Sequence, residues 1–528
     1  MFLEGLNMLS RSYAQYFTTI ILLLLAPISL LYAEERNSVF FTDYIEGDHQ
    51  FGTTTVISGD TLAISQRANF FDKVYIHKDK HNINTPTAVI TVPGLGPTST
   101  IALDDNILAI GKIAHNNYRC GIVYVYEEVD NIWTLIDFIT PDSVCKLNSD
   151  GFGASISIDG DTIVIGAYGE DSNSIGTNGD QDNDLSTDSG AVYVYKRNGN
   201  SWIQETYLKA SNPDSNDRFG SSVSIQGDTI VVGAYLEDGD GTSQTDNSFD
   251  EAGAVYIFEK NEGAWTQMAY LKAANPGEGY EFGNSVDIYD SSIVIGSYFE
   301  NGEGAAYVFN RNPNSWSQEA YLKASNPGMY DRFGTSVDIY SNFILIGASY
   351  EDSNSIGVNN DGGNNLASDS GAAYLFERKN NQWQFSDYIK ASNTTAVGLN
   401  ELFGNTVAVG DNFITVGTVF ANSVYFYSFD NLFMYGFEPP PTPPPSVEVY
   451  ALLTTIDIGG LASIFWTISN DVTSCLKLGD WSGQLSDSEI TNGTHTTLIS
   501  NITSNSTYII RCENDYGSSQ DSVSILVE

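Results

Sequence analysis

The side chains best suited to chemistry in this sequence are carboxylates gathered in short stretches rich in Gly and Ser. Glu170 and Asp171 are followed by Asp180, Asp182, Asp184 and Asp188. The layout returns at Glu351, Asp352, Asp361 and Asp369, and in variant form at Glu237, Asp238, Asp240, Asp246 and Asp250. Clustered carboxylate and carbonyl oxygens are the ligand set of Ca2+. Asp171, Asp180, Asp182, Asp184, Asp188, Asp352, Asp361 and Asp369 are therefore candidate metal ligands, with Ca2+ as the candidate cofactor. Asp180, Asp182 and Asp184 alternate as in a calcium loop, but Leu185 stands where the sharp turn of such a loop requires Gly. The plain alternative is an acidic, solvated loop copied along with a duplicated repeat.

Nucleophilic and acid–base constellations are sparse. The five His are His49, His77, His81, His115 and His495, and no G-x-S-x-G, H-E-x-x-H or phosphate-loop pattern occurs. A binding protein is the expectation, with no catalytic residue assigned. Abundant acidic pairs leave a carbohydrate-active hydrolase or lyase, with carboxylates in an axial cleft, as the alternative. Lys and Arg total 23 against 66 Asp and Glu, a formal net charge of −43. Such a surface repels nucleic-acid phosphate and anionic lipid, so nucleic acid is excluded as a partner.

The elements that must carry these loops come from an internal repeat. The stretch from Phe152 to Ala167 returns from Phe219, Phe282 and Phe333, more loosely from Phe403 and Phe51, and without its Phe-Gly from Pro97. The repeating unit reads as four strands. Two alternating runs flank a tight turn such as Asp159-Gly160, a third is apolar on both faces (Val192 to Tyr195), and a fourth is amphipathic (Trp202 to Leu208). The acidic stretches fall between second and third strands, and so on one end of the array.

The fourth strand predicts the topology. Trp202, Trp265, Trp316 and Trp383 each stand five residues before an aromatic, at Tyr207, Tyr270, Tyr321 and Tyr388. The segment from Val39 to Ile45 matches Trp383 to Ile389 at the same spacing, whereas the last unit stops after its third strand, Val424 to Tyr427. An N-terminal strand at 38–46 is thus expected to complete the last unit. That exchange requires a closed ring: a seven-bladed β-propeller over residues 34–437, which leaves only short sheet edges.

The Phe-Gly followed by Val-Ile-Gly-Ala resembles the FG-GAP repeat of integrin α-chain-like propellers, in the bacterial secreted version, over residues 38–430. The expectation is an extracellular or cell-surface binding and adhesion protein whose propeller face engages a protein or polysaccharide. The resemblance brings neither integrin metal sites nor integrin ligand binding with it. Their D-x-D-x-D-G loop between the first and second strands is replaced here by tight turns such as Gly227-Asp228 and Tyr340-Ser341-Asn342.

The ends of the chain carry further expectations. Arg11 precedes the apolar runs Ile20 to Ala26 and Ile28 to Leu31, which reads as a signal peptide, 1–33, cleaved after Ala33; a retained anchor is the alternative because Leu31 suits the cleavage site poorly. Export would place the protein at the cell surface, outside the cell or in the periplasm, without lipid insertion after cleavage. Residues 438–445 form a proline-rich linker. Residues 446–528 read as short strands resembling a bacterial immunoglobulin-like β-sandwich, by Ser474-Cys475, Trp481-Ser482-Gly483 and Tyr508 to Cys512. In an exported chain the four cysteines suggest Cys120–Cys145 and Cys475–Cys512 disulfides, one within each domain.

Overall fold

A computed structural model describes residues 51–429 apart from 68–71, 79–84, 94–99, 114–120, 142–149, 314, 361, 395–400 and 420–421. It also describes the strand Phe40–Glu46 and the strands between 446 and 527, for which only the backbone is given. The expectations placed on residues 1–33, the start of the second unit at 97, Cys120, Cys145, Asp361 and the linker 438–445 lie outside the described residues. The chain divides into two units, 1–430 and 431–528.

Seven four-stranded antiparallel sheets make up the first unit. In the third, Ser155–Asp159, Thr162–Ala167, Ala191–Asn198 and Ser201–Leu208 pair in sequence order. Six of the sheets follow this pattern. The seventh consists of Thr406–Val409, Phe413–Gly417 and Ser423–Ser428, and takes Phe40–Glu46 as its fourth strand. The pairing runs from Phe40 opposite Ser428 to Glu46 opposite Ser423, with a register shift between Phe41 and Asp43. A shift occurs at the equivalent place in blade 6, where Leu375 faces Asp387 and Phe376 faces Phe385. The N-terminal strand therefore reproduces the bulge of an ordinary fourth strand as well as its spacing. First strands of successive blades touch around the ring, and Thr406–Val409 touches Phe51–Ser58 to close it. At that closure the Thr55 N–H donates to Thr406 Oγ1 at 3.3 Å.

Burial follows the sequence pattern. Second strands such as Thr162–Ala167, Thr229–Ala234 and Ser292–Ser297 are buried along their whole length, because blades cover both faces. Core clusters span neighbouring blades: Val123 and Val125 of blade 2 pack with Phe152, Ile165 and Trp202 of blade 3. The Phe-Gly pair is structural. Phe219 is fully buried with its ring edge-on to Tyr256 at 5.3 Å. Gly220 has φ +86, and a Cβ there would lie 2.4 Å from the Ala191 carbonyl of the preceding blade. A Cβ on Gly166 would lie 2.0 Å from the Gly220 carbonyl, so blades meet backbone to backbone on both sides of the joint.

Two sets of polar links, legible only in three dimensions, tie blade to blade. Ser155 Oγ donates to the Gly220 carbonyl at 2.8 Å, and Ser222, Ser285 and Ser336 do the same to Gly283, Gly334 and Gly404. At the opposite end, Asp104 accepts the Gly160 N–H at 2.7 Å and Asp159 accepts that of Gly227 at 2.6 Å, each first strand capping the next blade's turn.

In the second unit the described residues are all in strands. Ser446–Ala451, Gly460–Ser469 and Gly493–Ile502 form one sheet. Thr455–Ile456, Gly517–Val527, Ser506–Asn514, Ser474–Gly479 and Gly483–Gln484 form another, in which Cys475 and Cys512 stand opposite each other in register.

Candidate functional site

Beneath the acidic loops lies a repeated buried cluster. In blades 3 to 6 the second strand is followed by a Glu (Glu170, Glu237, Glu300 and Glu351) whose side chain turns into the protein, and all four are buried. The fourth strand of the same blade supplies a Tyr and, two residues on and so on the same face, a Lys. In blade 3, Tyr207 OH donates to Glu170 Oε1 at 2.8 Å and Lys209 Nζ donates to Oε2 at 2.9 Å. In blade 6, Tyr388 and Lys390 bind Glu351 at 2.9 and 2.7 Å. Blade 5 repeats this with Tyr321 and Lys323 on Glu300. Burial lowers the affinity of Lys209 and Lys390 for their protons, and the paired glutamates oppose that shift. Each ammonium also donates to a loop serine, Ser189 or Ser370, at 2.8 and 2.7 Å. The cluster thus anchors the far end of the loop to the sheet.

Blade 4 departs from this pattern. Lys272 donates to the Glu237 and Asp238 carbonyls instead of to the carboxylate. Burial, followed by the neighbouring Asp217 with which it shares a hydrogen bond, pushes Glu237 up to about 9. Burial likewise pushes Asp217 to about 6 and takes Lys272 down to about 8.

The residues expected to bind metal are placed as follows. Asp171 accepts the backbone N–H of Asp188 at 2.8 Å, and Asp352 accepts that of Asp369 at 2.9 Å. These four residues clasp the bases of their loops, and Asp188 and Asp369 hold positive φ at the clasp. Asp180 Oδ1 accepts the Asp182 N–H at 3.0 Å, while its carbonyl accepts from Ser172 and Ser174. Asp180, Asp182 and Asp184 are exposed. Among the described residues, no three His, Cys, Asp or Glu are gathered so as to hold a metal ion. The expected ligands are thus distributed along the loops, where several of them serve the backbone. Both duplicated loops share their wiring: Asn183 and Asn364 accept the N–H groups of Asn173 and Asn354, and Asn178 and Asn359 accept those of Tyr207 and Tyr388.

The blade axis encloses a cavity of about 400 Å³ lined by first strands, with Ser157, Ser224, Asp287 and Asp338 among the lining residues. Asp287 accepts from Ser224 Oγ at 2.8 Å and from the Ile339 N–H at 3.0 Å, and Asp338 accepts the Val409 N–H at 2.6 Å. The two carboxyls also hydrogen-bond to each other, and burial, then Asp287, holds Asp338 well above the usual carboxylate range. The pair therefore links four blades through its oxygens.

A pH response follows from Asp331. Burial, then the charge of Glu351, pushes its carboxyl up to about 7. The native state therefore binds more protons than the unfolded chain between the ordinary Asp range and that value, so this contribution to stability is full at low pH and is lost as pH rises. In thermal melts from pH 5 to pH 8, wild type is expected to lose stability relative to Asp331→Asn, whose amide stays neutral throughout. Parallel melting curves for the two proteins would contradict this.

Comparison with known proteins adds the following. The family model of the FG-GAP repeat matches residues 146–195, 202–258, 265–309 and 316–376. No curated protein matches. Among solved structures, the chain is similar to the WD40 domain of Toxoplasma gondii coronin, at 10% identity and TM-score 0.40 over 77% of this chain and 89% of that one. A putative 6-phosphogluconolactonase from Bacteroides uniformis gives 12% and 0.42 over 65% and 86%. A hypothetical selenium-binding protein from Sulfolobus tokodaii gives 10% and 0.39 over 63% and 76%. No function is transferred from likenesses at this level. The repeat match, the buried Phe-Gly joints and the seven closed sheets together identify the chain as a carrier of FG-GAP repeats folded into a seven-bladed β-propeller.

Proposed function

We propose that this is an exported binding and adhesion protein of the cell surface or extracellular space, whose loop-bearing propeller face engages a protein or polysaccharide. The observation that carries the reading is the build of the duplicated loops. Both are tied down by buried clusters, yet each lifts two large aliphatic side chains into solvent at equivalent positions. Ile175 and Leu185 are 64% and 74% exposed, and Ile356 and Leu366 are 49% and 66% exposed. Ordered loops that display apolar groups on one end of a rigid scaffold are suited to partner contact. In this reading residues 1–33 are the signal peptide and the C-terminal unit is an immunoglobulin-like spacer bridged by Cys475–Cys512, a pairing supported by their opposed register. The enzyme alternative would draw on Asp287 and Asp338, whose oxygens already accept backbone N–H groups of the ring.

The test replaces residues 172–187 and 353–368 with the short link of blade 5, Asn301 to Glu303. Binding to a panel of matrix proteins and polysaccharides is expected to fall at least about tenfold, the equivalent of ~1.4 kcal/mol, while the propeller still melts cooperatively. Unchanged binding by the shortened protein refutes the reading. Calcium assistance is tested alongside: a larger rise in melting temperature with Ca2+ than with equal Mg2+, lost in Asp180→Ala, brings calcium into it. Equal shifts with the two ions take calcium out.

A further inference from the structure

The residue just before Phe-Gly is Arg218, Glu281 and Arg332 in blades 4, 5 and 6. All three hold positive φ, at 58°, 53° and 59°, a geometry that Gly151 meets without a side chain in blade 3. Side chains are thus retained in a backbone conformation that disfavours them. The carbonyls of these residues accept the N–H groups of Ser221, Asn284 and Thr335, which line the axial cavity. The three side chains therefore form an arc at the loop-face mouth of that cavity.

Aromatic rings from adjoining blades flank the arc. The Arg332 guanidinium lies 3.9 Å from the centroid of Tyr350, 5.1 Å from that of Phe299 and 5.7 Å from that of Tyr298. Arg218 lies between Tyr168 and Tyr235, at 5.5 and 5.8 Å, and donates to Tyr235 OH. Three other arginines of the propeller are paired: Arg197 with Glu127, Arg311 with Glu259 and Arg378 with Glu319. Among the described residues Arg218 and Arg332 form no ion pair, in a chain where acidic residues outnumber basic ones 66 to 23. Arg218 Nε is buried without a hydrogen-bond partner, and so is Glu281 Oε2. The carboxyls that feel Arg332, Glu281 and Asp369, are both raised toward their neutral forms, by burial first.

Stacked guanidinium forks with open donors suit oxyanions, and rings beside them suit the faces of sugars. We propose that Arg218 and Arg332, on either side of the buried Glu281, form a subsite for an anionic polysaccharide and take carboxylate or sulfate groups along the chain. The proposal rests on the reading that the loop face binds a partner. The two arginines stand at equivalent positions two blades apart, which suits acids spaced along a polymer better than a single small anion, and they attract it locally against a chain whose net charge repels polyanions as a whole.

The experiment titrates the full chain calorimetrically with galacturonate oligomers, their methyl esters, dextran sulfate and neutral dextran. Binding is expected for galacturonate, dextran sulfate or both, which separates carboxylate from sulfate as the source, and not for the ester or the neutral glucan. Arg218→Gln and Arg332→Gln are each expected to weaken it at least tenfold. Arg332→Lys keeps the charge and loses the fork, so weaker binding at an unchanged melting temperature isolates fork recognition from folding. Equal affinity for acid and ester, indifference to the arginine substitutions, or binding of neither anionic polymer overturns the proposal. If the loop-shortened protein loses a partner that the arginine variants still bind, the arc fails while the loop-face reading stands.

Discussion

Removal of residues 34–46 is expected to destabilise the propeller by on the order of 5 kcal/mol, far more than trimming an ordinary terminus, since net backbone hydrogen bonds contribute about 1 kcal/mol each. Phe40–Glu46 pairs at six positions with Ser423–Ser428, and among the described residues no other strand covers that edge. Without it, the third strand of blade 7 presents unpaired N–H and C=O groups to solvent and to other molecules. Denaturant melts would show a lower midpoint, and amide exchange across Ser423–Ser428 would accelerate first. A permuted chain in which residues 38–46 follow residue 429 should recover most of the loss, because the strand regains its place with a different connection. A truncated protein with the wild-type midpoint and unchanged exchange would mean that the strand does not hold the ring.

The second large effect concerns Glu351 and Lys390. Both side chains are nearly inaccessible, at 2% and 0%, and their charged atoms lie 2.7 Å apart. Removing one partner of a buried pair strands the other charge, so Lys390→Met and Glu351→Gln should each cost about 3–5 kcal/mol. Together they should cost clearly less than the sum of the two, because neither charge is then left alone. The pair Arg378–Glu319 is a control of the same length, 2.7 Å, with side chains 22% and 20% exposed; its removal should cost less than about 1 kcal/mol. Additive effects at Glu351 and Lys390, or losses no larger than at the control, would show that the cluster is not the anchor of its loop.

The sequence reveals the ring because the decisive signals are local and repeated. The five-residue interval from Trp383 to Tyr388 recurs from Val39 to Tyr44, and the register places Tyr44 opposite Tyr425 as Tyr388 faces Tyr374. The buried clusters escape such a reading. Glu351 and Lys390 lie 39 residues apart, and each alone resembles an ordinary surface charge. The signal was present as a Glu after every second strand in blades 3 to 6, matched by Tyr-x-Lys at the end of the fourth. The acidic loops mislead for a related reason. Carboxylates suited to a cation are equally suited to a backbone N–H, and only geometry distinguishes the two. One hint was the constant separation of 17 residues between Asp171 and Asp188 and between Asp352 and Asp369. The arginine arc was likewise written as Asp-Arg-Phe-Gly at 217–220 and 331–334, but which rings surround it depends on neighbouring blades.

The serine links from Ser155, Ser222, Ser285 and Ser336 to the next Phe-Gly carbonyl all point the same way around the axis. Every contact between neighbours is therefore head to tail, a kind of interface that does not specify by itself how many members follow one another. Chemically, an additional copy could dock on the last one as well as any other. The number must be counted by geometry, through the small rotation at each joint, and secured where Phe40–Glu46 and the last blade share one sheet. Gene duplication could thus lengthen such a protein without inventing a new joint, while the shared sheet would reject any number that fails to complete a full turn.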